Sequence, residues 1–135
     1  AQKDQKQIEQ VESVMTDEAI TLHSSGGTEK IKLFVKDIIL IRAADNYIEI
    51  VYRKKGELKS TLLRNTISNM EMQFESYPGM IRCHRASIVN IVHIKRLNKE
   101  ANSHTLSLHD YPELVAVSRQ YLLQVKNAML ALSDE

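Results

Sequence analysis

The chain has 135 residues, of which 43% are hydrophobic and 26% charged, and its formal net charge is +1. This length suits one domain with a substantial core, and no stretch approaches the roughly 20 apolar residues that a membrane-spanning helix requires. The single cysteine, Cys83, excludes an internal disulfide or a cysteine-rich zinc site. One cysteine is typical of a reducing compartment, so we expect a cytoplasmic protein.

Residues 1–18 are predicted to form a polar helical segment ahead of a folded domain over residues 19–135. The segment carries five acids against two lysines and lacks the apolar core of a signal peptide, so we do not expect secretion. It is too short for a stable coiled coil by itself, and we interpret it as a linker or a dimerising stub. Its apolar side chains recur at helical spacing: Ile8, Val11, Val14 and Met15.

Alternating apolar and polar residues predict strands from residue 19 onward. Ile48, Ile50 and Tyr52, for example, fall on one face of a predicted strand. The predicted elements are strands over 19–24 and 30–35 around a turn at Gly26–Gly27, then strands within 38–63 with a hairpin turn at 54–57.

Residues 65–76 are predicted to form the one clear internal helix. Asn65 or Thr66 can cap it, and Pro78–Gly79 is expected to end it. Its apolar side consists of Ile67, Met70 and Phe74. Beyond it we predict a short strand over 80–84 and a single helical turn over 85–91, in which Ile88 and Val89 are core anchors and Asn90 caps backbone groups.

The last part of the chain alternates again, with a polar turn at 100–103 and a final strand over 114–117. Ser118 is predicted to cap a C-terminal helix. The apolar side of that helix consists of Leu122, Val125, Met129 and Leu132. The whole pattern predicts a mainly β fold of antiparallel sheets with two or three short helices, which is not the core of a parallel α/β enzyme.

The sequence offers little for catalysis, metal or cofactor binding. Cys83 and His84 are adjacent on a predicted strand, where side chains point to opposite faces, so they cannot act as nucleophile and base. The five histidines lack metal-ligand spacing, and the four glycines form no phosphate-binding loop. We therefore expect no enzyme, no metal and no cofactor, and we interpret Cys83 as a buried structural residue.

Positive charge is concentrated in one stretch of the chain. Residues 82–99 contain five Lys or Arg residues and no acid, which suits a polyanion or, alternatively, an ordinary solvated face. Polar residues also stand where predicted strands meet turns, in ADNY at 44–47, HRAS at 84–87 and VSRQY at 117–121. At the start of a helix, Arg119 can bind a phosphate or hydrogen-bond to the edge of a guanine base.

These motifs resemble the LytTR DNA-binding domain of bacterial response regulators. The most specific piece is RCHRASIVN at 82–90, with NY at 46–47 and VSR at 117–119 in the same order as in the family. The resemblance covers about residues 19–131 and implies an elongated stack of antiparallel sheets that inserts turns into DNA major grooves at paired repeats. It implies a transcription regulator of a two-component system that binds double-stranded promoter DNA. A dimer on the DNA is one arrangement that the resemblance allows.

Carried over by position, the resemblance implies DNA contacts from Asn46, Tyr47, His84, Arg85, Ser87 and Arg119. A structural hydrogen bond is an equal alternative for His84, and Arg82 is interpreted as a surface ion pair. Ala86 and Ser87 depart from the family pattern of a serine followed by a larger residue, which affects the target sequence more than the activity. Cys83 is predicted to be dispensable for DNA binding, with redox sensing through an external thiol as the alternative.

The resemblance implies an upstream receiver domain, as in many relatives, or a membrane segment, as in others, and the acidic segment of residues 1–18 suits either arrangement. The main alternative function is a non-enzymatic β domain that binds a protein or peptide. Retention on duplex DNA that depends on salt and on sequence separates the two hypotheses.

Overall fold

The computed structural model describes residues 18–133, so nearly all of the predicted segment over residues 1–18 lies outside the described residues. The strands are β1 (Ala19–His23), β2 (Lys30–Phe34), β3 (Ile38–Ala44), β4 (Tyr47–Lys54), β5 (Glu57–Arg64), β6 (Met80–His84), β7 (Ser87–Asn90), β8 (Ile94–Glu100), β9 (Ser103–Leu108) and β10 (Tyr111–Val117). The helices are α1 (Ile67–Gln73) and α2 (Leu122–Ser133), with 3-10 turns at Val35–Asp37, Ile91–His93 and Arg119–Tyr121. No described helix is long and apolar enough to cross a membrane.

A five-stranded antiparallel sheet in the order β5-β4-β3-β7-β6 forms the centre of the domain. Residues in β4 alternate between two core clusters, because Ile48, Ile50 and Tyr52 belong to one and Val51 belongs to the other. The first core cluster is shared with the β1-β2 hairpin and α1, and the second with the β10-β9-β8 sheet and α2. The domain is therefore three layers, and the predicted mainly β fold is confirmed.

Strand β3 carries the run IILI, which is buried along its whole length because the strand is covered on both faces. The pairing of β3 with β4 shifts between Ile38 and Leu40, which marks a β-bulge. The bulge places Ile39 and Leu40 together in the second core cluster, while Ile38 and Ile41 enter the first. One irregularity thus lets a continuous apolar run serve both layers.

The predicted helix is present, and Thr66 is its cap, because the Thr66 Oγ1 accepts a hydrogen bond from the Asn69 N–H at 3.2 Å. Its predicted apolar residues are all buried in the first core cluster. The helix ends at Gln73, which is before Pro78, so Pro78–Gly79 does not end it as predicted. Instead this dipeptide falls in the turns that lead into β6.

The prediction of a helical turn over residues 85–91 is wrong. Ser87–Asn90 is strand β7, which pairs with β3 on one side and β6 on the other. Ile88 and Val89 are β-branched and fully buried, one in each core cluster, so a central strand fits them better than a helical turn. A 3-10 turn follows at Ile91–His93, capped by the Asn90 side chain.

The predicted cap of the C-terminal helix is also wrong. Ser118 precedes the 3-10 turn of Arg119–Tyr121, which is closed by a backbone hydrogen bond from the Tyr121 N–H to the Ser118 carbonyl at 3.0 Å. The Ser118 hydroxyl makes no capping bond. Helix α2 then begins at Leu122, and its predicted apolar side packs against the second core cluster.

We predict that Asn90→Ala destabilises the fold by about 2–4 kcal/mol, because three backbone groups lose a buried partner. The Asn90 amide donates to the carbonyls of Ile38 at 2.8 Å and Val35 at 3.1 Å, and its oxygen accepts from the Val92 N–H at 3.2 Å. Urea denaturation measures the loss. Asn102→Ala, in an exposed turn, is the matched control, and equal stability of the two variants would contradict the assignment.

Candidate nucleic-acid interface

Two polar turns lie side by side at one end of the central sheet. Strand β3 pairs antiparallel with both β4 and β7, so the β3–β4 turn at Asp45–Asn46 and the β6–β7 turn at Arg85–Ala86 share that end. The Ala43 N–H donates to the Ala86 carbonyl at 2.8 Å, which fixes one turn against the other. We call this end, with these four turn residues, the turn end of the sheet.

Asn46 and Tyr47 project from the first of these turns. Asn46 is exposed, and Tyr47 opens strand β4 with 41% of its surface exposed. Tyr47 lies opposite Arg64 in β5, and the Arg64 guanidinium carbon is 5.9 Å from the centre of its ring. Arg64 therefore adds a cation to the turn end. The sequence pattern did not single out Arg64, because its neighbour is in another strand.

His84 and Ser87 flank the second turn and face each other across it. His84 is half-buried, and its Nδ1 accepts a hydrogen bond from the Ala86 N–H at 3.1 Å. That bond matches the structural alternative for His84, and it assigns the ring proton to Nε2. Arg85, between them, is exposed, so its guanidinium extends from a turn whose backbone is held on both sides.

The segment that carries Arg119 lies beside the same turn. The Ser118 N–H donates to the Cys83 carbonyl at 3.0 Å, so the chain leaving β10 runs along the end of edge strand β6. Arg119 is exposed and borders a cavity of about 530 Å³ together with Lys99, Asn102 and His104 from the β8–β9 hairpin. The structure thus groups the β8–β9 hairpin with Arg119, a neighbour that sequence spacing could not reveal.

Arg82 is more than the surface ion pair that was predicted. Its side chain is buried, with a residue exposure of 8%, and its guanidinium donates to the carbonyls of His84 at 3.0 Å and Arg85 at 2.6 Å. It also donates to the Glu71 carboxylate of α1 at 2.7 Å and lies 5.7 Å from the centre of the Tyr121 ring. Arg82 therefore joins the β6–β7 turn to α1 and to the 3-10 turn that contains Arg119.

Arg42, close to the turn end, is committed to protein contacts. It lies in β3 opposite Glu49 of β4, and its guanidinium binds the Glu49 carboxylate at 2.5 Å and approaches Glu113 of β10 at 3.8 Å. The hydrogen bond to Glu49, strongest among the causes, raises the pKa of Arg42. Its charge is thus largely balanced within the domain.

Cys83 is fully buried in the second core cluster beside these polar residues. Burial raises the pKa of its thiol from an ordinary value of 9.0 to about 12. The adjacent His84 Nδ1 is occupied by the Ala86 N–H. Within residues 18–133, no group of three or more His, Cys, Asp or Glu side chains is placed to hold a metal ion.

The turn end therefore presents exposed polar and cationic side chains on a rigid β scaffold, as a surface that contacts DNA requires. A family model described as the LytTr DNA-binding domain matches residues 28–130. The chain belongs to this LytTR family of DNA-binding domains, as the sequence motifs predicted.

One solved structure gives the same fold. It is described as the LytTr DNA-binding domain of a methyl-accepting/DNA response regulator from Bacillus cereus, and it is 22% identical to this chain with a TM-score of 0.59. The match covers 84% of this chain and 98% of that chain. No curated protein matches the chain to a significant level.

We predict that Arg82→Lys lowers the free energy of unfolding by about 1–3 kcal/mol, because an ammonium cannot reproduce the planar fork that serves two carbonyls and a carboxylate. Urea denaturation measures the change. Arg85→Lys is the matched control, and the exposed position should keep its stability within about 0.5 kcal/mol. Equal stability of the two variants would show that the Arg82 contacts contribute nothing.

Cys83 should be inert to thiolate-selective reagents in the folded protein. Because its pKa is raised, the stability that the protonated thiol contributes is intact below pH 9.0 and is lost as the pH rises from there to about 12. At pH 8, iodoacetamide should label urea-unfolded protein quickly and native protein only as fast as it unfolds. Rapid labelling of the native protein would instead support the redox-sensing alternative.

Proposed function

We propose that this LytTR domain binds specific sequences in double-stranded DNA by inserting its turns into the major groove. The observation that carries the proposal is the convergence of three separate motifs, because β3, which leads into the turn of Asn46, is hydrogen-bonded to the turn of Arg85, and the Arg119 segment is bonded to β6 beside them. The backbone of such fixed turns loses little conformational freedom on binding, which favours specific contacts.

The proposed roles follow from chemistry and exposure. Arg85 and Arg119 can each donate two parallel hydrogen bonds to the O6 and N7 of guanine, and Asn46 can pair with adenine in the same way. Tyr47, with Arg64 close to its ring, suits a phosphate or sugar contact at the edge of the interface. Ser87 offers one hydroxyl, and His84 offers the Nε2–H that its bond to Ala86 leaves available.

The wider setting is proposed from the family. Paired promoter repeats would be occupied by two copies of the domain, which supports a dimer on DNA. An upstream receiver or membrane segment would supply the signal to a transcription regulator that acts in the bacterial cytoplasm, in the manner of response regulators. We propose no catalytic role, because the chemistry at the turn end consists of hydrogen-bond donors and fixed charges.

A β domain that binds a protein or peptide is the second candidate, and one observation favours it. Strand β5 is an edge of the central sheet, and Leu58 and Leu62 on it are 41% and 59% exposed. An apolar edge of this kind can accept an added strand from a partner. If Leu62→Lys abolished binding to a protein or peptide partner and left DNA binding unaffected, that result would support the second candidate.

We predict that Arg85→Lys and Arg119→Lys each cost about 1–3 kcal/mol on a specific duplex and much less on a scrambled one. Lysine keeps the charge but lacks the two-donor fork, so a loss confined to the specific duplex identifies base contacts. The measurement is a binding titration of both duplexes at two salt concentrations, with the specific duplex taken from selection on random DNA.

Lys99→Ala is the comparison variant, for which we expect at most a phosphate contact. It should weaken both duplexes alike and reduce the slope of log affinity against log salt by roughly one. Uniform losses on both duplexes for the two lysine variants would contradict base contacts by Arg85 and Arg119. Unchanged binding by both lysine variants would show that neither arginine is part of the interface.

A further inference from the structure

A second basic surface lies at the opposite end of the central sheet. Strand β4 runs eight residues from Tyr47 at the turn end to Lys54, a distance of about 23 Å. Around Lys54 a groove of about 570 Å³ opens between β2 and the β4–β5 hairpin. We call this the basic groove, and its border includes Lys32, Lys54 and Lys55, all exposed.

The basic groove combines positive charge with an apolar floor. Ile31, Leu33 and Phe34 of β2 line it, and Phe34 is 51% exposed, which is unusual for a phenylalanine in a small domain. Asp37 is the one acidic residue among the residues that line it. Such a surface matches an acidic, amphipathic segment better than a simple anion, because both the apolar floor and the cations require a partner.

The chain itself supplies such a segment at the border of the groove. Ala19, which lines the groove, pairs with Phe34, and the Glu18 carbonyl accepts from the Val35 N–H at 2.9 Å. The chain therefore enters the domain beside Phe34. The preceding residues 1–17 carry four acids against two lysines, and their apolar residues follow the helical spacing described above.

We propose that the acidic segment of residues 5–17 docks on the basic groove, with its apolar side over Phe34 and its carboxylates facing Lys32 and Lys54. As a helix of thirteen residues it would be about 20 Å long. Docking there leaves the turn end uncovered. The segment would thus set the direction in which an upstream region approaches the domain, without competing with DNA.

Charge reversal in the full chain tests the proposal. Glu9→Lys/Glu12→Lys should shift the amide NMR resonances of residues 31–36 and 52–56 and remove part of their protection from hydrogen exchange, although both substitutions are distant in sequence. Adding Lys32→Glu/Lys54→Glu to the same chain should restore the protection. Glu75→Lys/Glu100→Lys makes the same change of charge at two exposed positions outside the groove and should leave these resonances unchanged.

Unchanged groove resonances in Glu9→Lys/Glu12→Lys would overturn the proposal. So would sedimentation showing that groove protection is lost on dilution together with a fall from dimer to monomer mass, because a second copy would then be the occupant. No DNA enters the measurement, so its outcome is independent of whether the turn end binds duplex DNA.

Discussion

The arrangement of the turn end depends on one buried cation. Arg82 is buried, with a residue exposure of 8%, and burying an arginine is costly unless its donors are satisfied. Two of its hydrogen bonds go to the carbonyls of His84 and Arg85, so the charge is balanced partly by backbone dipoles of the turn that it supports. The third goes to Glu71, whose side chain is 48% exposed, so that ion pair is weakened by solvent and the carbonyl bonds matter more. A turn held in this way can present Arg85 with its backbone already in place.

Strand irregularities, more than regular pairing, fit this site to the core. The pairing of β6 with β7 shifts between Arg82 and His84, so Cys83 is the extra residue of a bulge directly before the turn. Cys83 packs into the second core cluster and its carbonyl accepts from the Ser118 N–H, which attaches the Arg119 segment to the same bulge. Cys83 therefore supports both arginine-bearing segments, through its backbone carbonyl and through the volume that its side chain fills in the core. The raised pKa of the Cys83 thiol is a consequence of that burial, and it is not a sign of a reactive thiol.

Sequence patterns predicted those parts of the fold in which one face is buried and the other solvated. Strand β4 alternates clearly and α1 carries a cap and an apolar side, so both were predicted, and α1 was placed near its true bounds. The prediction for strand β7 was wrong because the strand is buried on both faces. Its short apolar run has no period that distinguishes a strand from a helical turn. Candidate site residues were named from the sequence only where they are local to a motif, and their contacts with DNA stay predictions. Arg64 beside Tyr47, and Arg82 bound to Glu71 and Tyr121, depend on pairings between distant parts of the chain that no local pattern contains.

Some cations near the turn end bind groups of the domain itself and others are exposed, and this division limits how such a domain can select its DNA. Arg42 and Arg82 lie close to the turn end, but carboxylates and carbonyls of the domain already occupy them. Among residues 18–133, the exposed cations described above for the turn end and the neighbouring cavity are Arg64, Arg85, Arg119 and Lys99, and the net charge of +1 gives little general attraction to a polyanion. Each phosphate contact contributes only about 0.9 to the salt slope, so non-specific binding by so few cations is weak at physiological salt. We propose that under this constraint the domain gains useful affinity mainly where fixed arginines meet matching bases, or where two copies bind adjacent repeats.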